Sequence, residues 1–210
     1  MLLLDIPVIF ICPDHNEKYR ARKNYMFDFL YKLGFKNVTM FKSESVNKYP
    51  KAVAEDTYNI LSMILNDEPF LLLEDDIELS EWAHVDMQIE IPEDTDAFYL
   101  GFGRYGGSKT DPQESNGYNS ASVIHISDSH IKLINVLDTH AVLYISKRYK
   151  QAVMNEMKVI LDTDIPMISD VIISRIQENY NVYAYKYPFF FQTDKLENPW
   201  YKKDATNFRF

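Results

Sequence analysis

Short apolar runs alternate along this chain with stretches whose apolar positions recur at helical spacing. Pro7-Val8-Ile9-Phe10-Ile11-Cys12 and Phe70-Leu71-Leu72-Leu73 read as strands buried on both faces, as do the runs over 96–101 and 141–145. Tyr19, Met26, Phe27, Leu30 and Leu33 predict a helix over 17–33, with Asn16 as its N-cap and Gly34 as its stop. Val53, Ile60, Leu61, Ile64 and Leu65 predict a second helix over 52–65, ended ahead of Pro69. Further helices are expected over 147–161 and 165–180, the latter with Pro166 in its first turn. Weaker strands are expected at 37–41, 121–126, 131–136 and 182–187. Residues 80–91 read as helical or irregular, and the aromatic tail from 188 as irregular and folded back over the sheet. The opening order β-α-β-α-β predicts an α/β fold with a mixed, mostly parallel central sheet flanked by helices. No repeat, low-complexity tract or linker divides the 210 residues, so one domain is expected.

Composition narrows the classes. Hydrophobic content of 46% with 25% charged residues is that of a globular protein. A net charge of −9 opposes a phosphate backbone as the main partner, so no nucleic acid is expected. An acidic protein that binds an anionic nucleotide needs a bridging cation. The single cysteine, Cys12, excludes an intrachain disulfide and a four-cysteine zinc cluster, and its apolar setting reads as a buried small residue. The apolar start lacks a basic segment and carries Asp5 and Pro7, so no signal peptide is expected. Nor is there a run of about 18 apolar residues that would span a membrane. A cytoplasmic location is expected. The 15 Tyr, 13 Phe and 2 Trp are compatible with a surface that stacks on sugars or nucleobases.

The chemistry concentrates where Phe70–Leu73 runs into Glu74-Asp75-Asp76. In open α/β sheets, ligands bind at the carboxyl ends of strands. Strand alternation would put Glu74 and Asp76 on one face, roughly 6.6 Å apart, and Asp75 on the other. Clustered acids repel unless a cation or donors neutralise them, and hard oxygen ligands suit Mn²⁺ or Mg²⁺. An acidic triplet can also be a solvated loop start; the buried strand before it favours a site. Lys18, Arg20, Arg22 and Lys23 read as a solvated basic helix face, with contact to a phosphate or ribose as the alternative. Gly101, Gly103, Gly106 and Gly107, out of six glycines in the chain, mark flexible backbone or a ligand approaching closely. Their spacing is neither the dinucleotide fingerprint nor a phosphate loop. The polar stretch 108–120 reads as a surface loop or lid.

Leu73-Glu74-Asp75-Asp76, followed later by Thr139-His140-Ala141-Val142-Leu143-Tyr144-Ile145-Ser146 and by Asp170 in a Pro-x-x-x-Asp context, resembles the GT-A class of nucleotide-sugar glycosyltransferases. It is most similar to the lipopolysaccharide-type family 25 enzymes. A narrower likeness is to the amino-terminal glycosyltransferase domain of a chlorella-virus protein, which would place the chain in the host cytoplasm. The likeness covers about residues 7–175, and the first loop, Pro13-Asp14-His15, departs from the family's usual basic pattern. The resemblance implies a single GT-A-like domain over 1–210, with a nucleotide-binding part at about 1–105 and an acceptor part at about 106–210. It implies transfer of a sugar from a nucleoside diphosphate, UDP by preference, to a glycan hydroxyl, with Mn²⁺ or Mg²⁺ as cofactor. Asp76 would hold the metal, and Glu74 and Asp75 would support it or contact the ribose and donor sugar. The base would rest near Pro13, Asp14 and His15. Asp170 is the candidate base toward the acceptor, or an exposed helical acid. His140 contacts diphosphate or metal, or is a hydrogen-bonded structural histidine. Arg104 is a candidate grip on donor or acceptor. Retention or inversion, the sugar and the oligomeric state stay open. Two other classes fit clustered acids: a metal-dependent phosphoryl-transfer or nuclease-like enzyme, and an inert carbohydrate-binding module.

Overall fold

The computed structural model describes residues 1–44, 47–81, 83, 88–103, 122–164 and 167–193. In chain order the elements are β1 (Val8–Cys12), α1 (Glu17–Leu33), β2 (Val38–Lys42), α2 (Lys51–Met63), β3 (Phe70–Leu73), β4 (Ile77–Leu79) and β5 (Ala97–Gly101). Then come β6 (Ser122–His125), β7 (His130–Ile134), β8 (Ala141–Tyr144), α3 (Lys147–Asp162), α4 (Ser169–Ile176), β9 (Val182–Tyr185) and β10 (Phe190–Gln192).

The central sheet has the order β2-β1-β3-β8-β5-β9-β7-β6. Only β8 and β7 run against the other strands. Side-chain alternation divides the core. Phe70 and Leu72 of β3 face the cluster built with α2, α3 and α4, whereas Leu71 and Leu73 face the cluster built with α1. Each fully buried Leu or Phe contributes about 1.5–3 kcal/mol, so these two faces hold the sheet in its layer.

Local chemistry sets the helix bounds. Asn16 Oδ1 accepts the Tyr19 N–H at 3.0 Å and starts α1. Gly34 ends α1 with φ 94°, and the Phe35 N–H reaches back to the Leu30 carbonyl at 3.1 Å. Ser146 caps α3 in the same way as Asn16 caps α1, accepting from the Tyr149 N–H at 3.2 Å. No helix among the described residues is long and apolar enough to cross a membrane.

Two expectations need correction. Residues 80–91 are irregular where described, but Ile77–Leu79 before them form β4, which pairs antiparallel with β10 of the tail in a separate two-stranded sheet. The tail therefore contains a strand rather than being wholly irregular, and Ser80 is tied to it by its N–H to the Phe189 carbonyl and its Oγ to the Pro188 carbonyl, both at 2.7 Å. The helix expected over 165–180 is shorter: α4 starts at Ser169 and passes into a 3-10 turn at Gln177–Asn179, while Pro166 lies outside the described residues.

Candidate active site at the carboxyl ends of β1 and β3

β1 pairs with β2 on one side and β3 on the other, all parallel, so the chain reverses its direction of winding between β1 and β3. A crevice opens beyond the carboxyl ends at such a point. Residues 13–15 leave β1 there, and residues 74–76 leave β3.

The strand ladder ends at Leu73, and with it the simple alternation. Glu74 continues the Phe70 and Leu72 face; its N–H donates to the His140 carbonyl at 3.0 Å, and its carboxylate accepts from Gln192 Nε2 at 2.7 Å. Asp75 continues the other face and meets α1. Arg22 Nη1 lies 2.7 Å from Asp75 Oδ1 and 3.3 Å from Asp76 Oδ2. Asp76 therefore does not simply share a face with Glu74, as alternation predicted, because the chain turns out of β geometry at this point. Asp75 and Asp76 are 7% and 4% exposed, so neither belongs to a solvated loop start.

Arg22 is itself 9% exposed, which overturns the reading of that helix face as wholly solvated. The sequence held the clue. Arg22 lies on the buried stripe of α1 with Met26 and Leu30, at i, i+4 and i+8. Lys23 pairs with Asp14 at 2.8 Å.

The acids are under-neutralised. Burial pushes the Glu74 carboxyl well above its ordinary value, and the charges of Asp76, Asp170, Asp138 and Asp75 push it further. Burial also raises Asp75, against the pull of Arg22. Asp170, in the first turn of α4, is raised by burial despite the Thr139 Oγ1 donor at 2.9 Å from its Oδ1. Partial desolvation of its hydroxyl and then the charges of Asp170 and Glu74 raise the Tyr49 phenol, so its oxygen lies near both acids although most of the residue is exposed. Tyr49 and Asp138 carried no signal that singled them out in the sequence, and Thr139 stood out only as part of the Thr139-His140-Ala141 element. Asp138 becomes legible only through its left-handed backbone, φ 64°.

Two glycines are explained by this neighbourhood. A Cβ on Gly101 would lie 2.3 Å from His140 Nε2, and one on Gly103 would lie 1.7 Å from Asp138 Oδ2. The close approach expected of a ligand is, at these two positions, made by the protein's own side chains. His140 is 2% exposed, with Nε2 3.3 Å from the Phe190 carbonyl and no hydrogen-bond partner at Nδ1. Burial pulls its pKa down to about 4, so the imidazole is neutral at pH 7.

On the β1 side, Asp14 adopts φ 52°, its carboxyl held low by the Lys23 hydrogen bond, and the His15 ring rests 4.8 Å from that of Tyr19. Cys12 donates to the Tyr19 carbonyl at 3.3 Å, and burial raises its thiol to about 12, which leaves it inert at pH 7. Arg104 lies outside the described residues.

The donor set suits a hard cation in chemistry. Among the described residues no three His, Cys, Asp or Glu side chains converge as a ready-made metal centre. Mg²⁺-like ions need only one or two protein carboxylates, the rest coming from water and substrate phosphates. The mutual repulsion at Glu74 is the kind of strain that a cation relieves.

No family model matches the chain, and no curated protein sequence does. Among solved structures it is similar to a nucleoside-diphosphate-sugar pyrophosphorylase from Vibrio cholerae, at 13% identity and TM-score 0.43, over 87% of this chain and 73% of that one. It is similar to a glycosyltransferase involved in the glycosylation of the major capsid of PBCV-1, at 12% identity and TM-score 0.45, over 77% and 76%. A third likeness is to the CTP:phosphocholine cytidylyltransferase of Streptococcus pneumoniae, at 10% identity and TM-score 0.45, over 90% and 94%.

Proposed function

We propose that the chain is a metal-dependent glycosyltransferase that moves a sugar from a nucleoside diphosphate, UDP by preference, to a hydroxyl of a glycan acceptor. The observation that carries this reading is the gathering of Glu74, Asp76, Asp138 and Asp170 at the carboxyl-end margin of β1 and β3, where burial and the charges of the neighbouring acids raise the Glu74 carboxyl. Such a group has no stabilising role for a fold. It suits a site whose missing positive charge arrives with the ligand.

Asp76 would hold Mn²⁺ or Mg²⁺, with Glu74 beside it. When bound, the cation supplies Lewis-acid stabilisation of the departing diphosphate. Residues 13–15, which follow β1, would meet the nucleoside. Asp170 is the candidate base that takes the acceptor proton; it needs pH above its raised pKa, and Thr139 fixes its orientation. His140 acts from behind. Buried and neutral, it braces Gly101 and the Glu74 backbone rather than meeting substrate. Arg104 remains a proposed grip on donor or acceptor, and the single domain would divide into a nucleotide part at about 1–105 and an acceptor part beyond.

The test is release of UDP from a panel of UDP-sugars in Mn²⁺. Wild type should turn over at least one donor and lose activity in a chelator. Asp76→Asn should lose about 100-fold, which is ~2.7 kcal/mol of transition-state stabilisation. Its far-UV circular dichroism should not change. Turnover of ATP or a polynucleotide, with none of any nucleotide-sugar, would instead make this a phosphoryl-transfer enzyme.

A further inference from the structure

Arg22 is the one cation that the described structure places directly on the Asp75–Asp76 pair. One guanidinium nitrogen, Nη1, serves both carboxylates, at 2.7 Å and 3.3 Å. The Arg22, Asp75 and Asp76 side chains are 11%, 10% and 6% exposed, so water screens them little. The Tyr19 ring packs 5.9 Å from the guanidinium carbon, and α1 fixes the arginine from behind. This is not a surface ion pair that a nearby cation could ignore.

A positive charge held this close changes what the site accepts. A bare divalent ion approaching Asp76 meets two carboxylates already shared with Arg22, and the guanidinium weakens their pull on it. A metal carrying a diphosphate arrives with its charge neutralised and is not repelled. We propose that Arg22 is a resident counter-ion that makes the site take a metal–nucleotide complex in preference to the bare metal. Asp75 is then a positioning residue: it anchors Arg22, whereas the sequence suggested contact with the ribose or donor sugar. The inference rests on the reading of Asp76 as the cation's ligand.

Isothermal titration tests it, with Mn²⁺ alone and with Mn²⁺ plus UDP as probes. Wild type should bind Mn²⁺ weakly alone and more tightly with UDP. Arg22→Met should bind Mn²⁺ alone about tenfold tighter or more, since a unit charge within a few ångströms has gone. Arg22→Lys, which keeps the charge, should stay near wild type. Asp75→Asn should move the other way: it leaves Arg22 wholly to Asp76 and weakens Mn²⁺ binding. That second variant is isosteric and decides the matter even where Arg22→Met fails to fold. Unchanged Mn²⁺ affinity in Arg22→Met or in Asp75→Asn, or wild type that binds Mn²⁺ equally well with and without UDP, overturns the inference and leaves the proposed function standing. Wild type that binds neither Mn²⁺ nor Mn²⁺ with UDP contradicts the function. In that case Mn²⁺ binding by Arg22→Met still supports the counter-ion role, and none by that variant overturns it.

Discussion

Asp96 stands just before β5 and Glu74 just after β3, at opposite margins of one sheet, because these two strands run the same way. Asp96 is saturated with donors. Its Oδ1 accepts from Ser146 Oγ and Arg148 Nε, both at 2.6 Å, and its Oδ2 from Arg148 Nη2 at 2.5 Å and the Asn181 N–H at 2.9 Å. Although burial raises its pKa, those donors outweigh the burial and hold the carboxyl below its ordinary value. Glu74 accepts from Gln192 and otherwise faces acids, and its pKa moves the opposite way. The same chemical group is a structural fastener at one margin and an unmet demand for positive charge at the other. Burial raises both carboxyls; four donors outweigh it at Asp96, whereas at Glu74 the neighbouring acids add to it.

Removing the fastener should have the largest effect on stability. Asp96→Ala leaves the Ser146 hydroxyl and the Asn181 N–H without their acceptor at the junction of β5, α3 and β9. The Arg148 side chain is 62% exposed and recovers water, so most of the loss comes from the other two. The expected cost is about 3 kcal/mol, measured by urea unfolding.

His140 gives the next effect, through pH. Its folded pKa of about 4 lies below the ordinary 6.5, so the unfolded chain binds more protons between those values. Wild type should lose stability as pH falls from about 6.5 to about 4, by at most ~3 kcal/mol at 1.36 kcal/mol per unit. His140→Gln should show a flatter profile in that window, whatever its offset at pH 7. An unchanged slope would mean that the imidazole is not buried neutral.

Glu74 gives an effect of the opposite sign. Its folded pKa lies above the ordinary 4.5, so the stability linked to its proton is complete below pH 4.5 and is lost as pH rises through the folded value. Glu74→Gln escapes that loss and can still accept from Gln192. Its melting temperature should match wild type most closely near pH 4 and pull ahead as pH rises toward 7. Equal behaviour at both pH values would dissolve the contrast with Asp96.

Much of the sheet was legible because its strands are short runs of Leu, Ile, Val and Phe with turn residues between them. α1 was legible to the residue because Asn16 and Gly34 mark its ends by specific hydrogen bonds and a left-handed backbone. β4 and β10 were not. Three-residue strands carry no period, and each exists only through a partner more than a hundred positions away. For the site, Glu74-Asp75-Asp76 and the strand before it were enough to find the place. Arg22 was on the page as a break in an apolar stripe, but basic residues around it masked that signal. Asp138 and Tyr49 reach the site from a loop and a helix lead-in, where only tertiary packing decides what meets what.

The central claim is that the under-neutralised margin receives a divalent cation together with a nucleotide. A crystal grown with Mn²⁺ and UDP, measured at the manganese absorption edge, tests it most directly. The account predicts an anomalous peak within coordination distance of the Asp76 carboxylate, with the diphosphate on its far side and the base toward residues 13–15. A manganese peak and nucleotide density elsewhere on the molecule, with Asp76 still paired to Arg22, would contradict it.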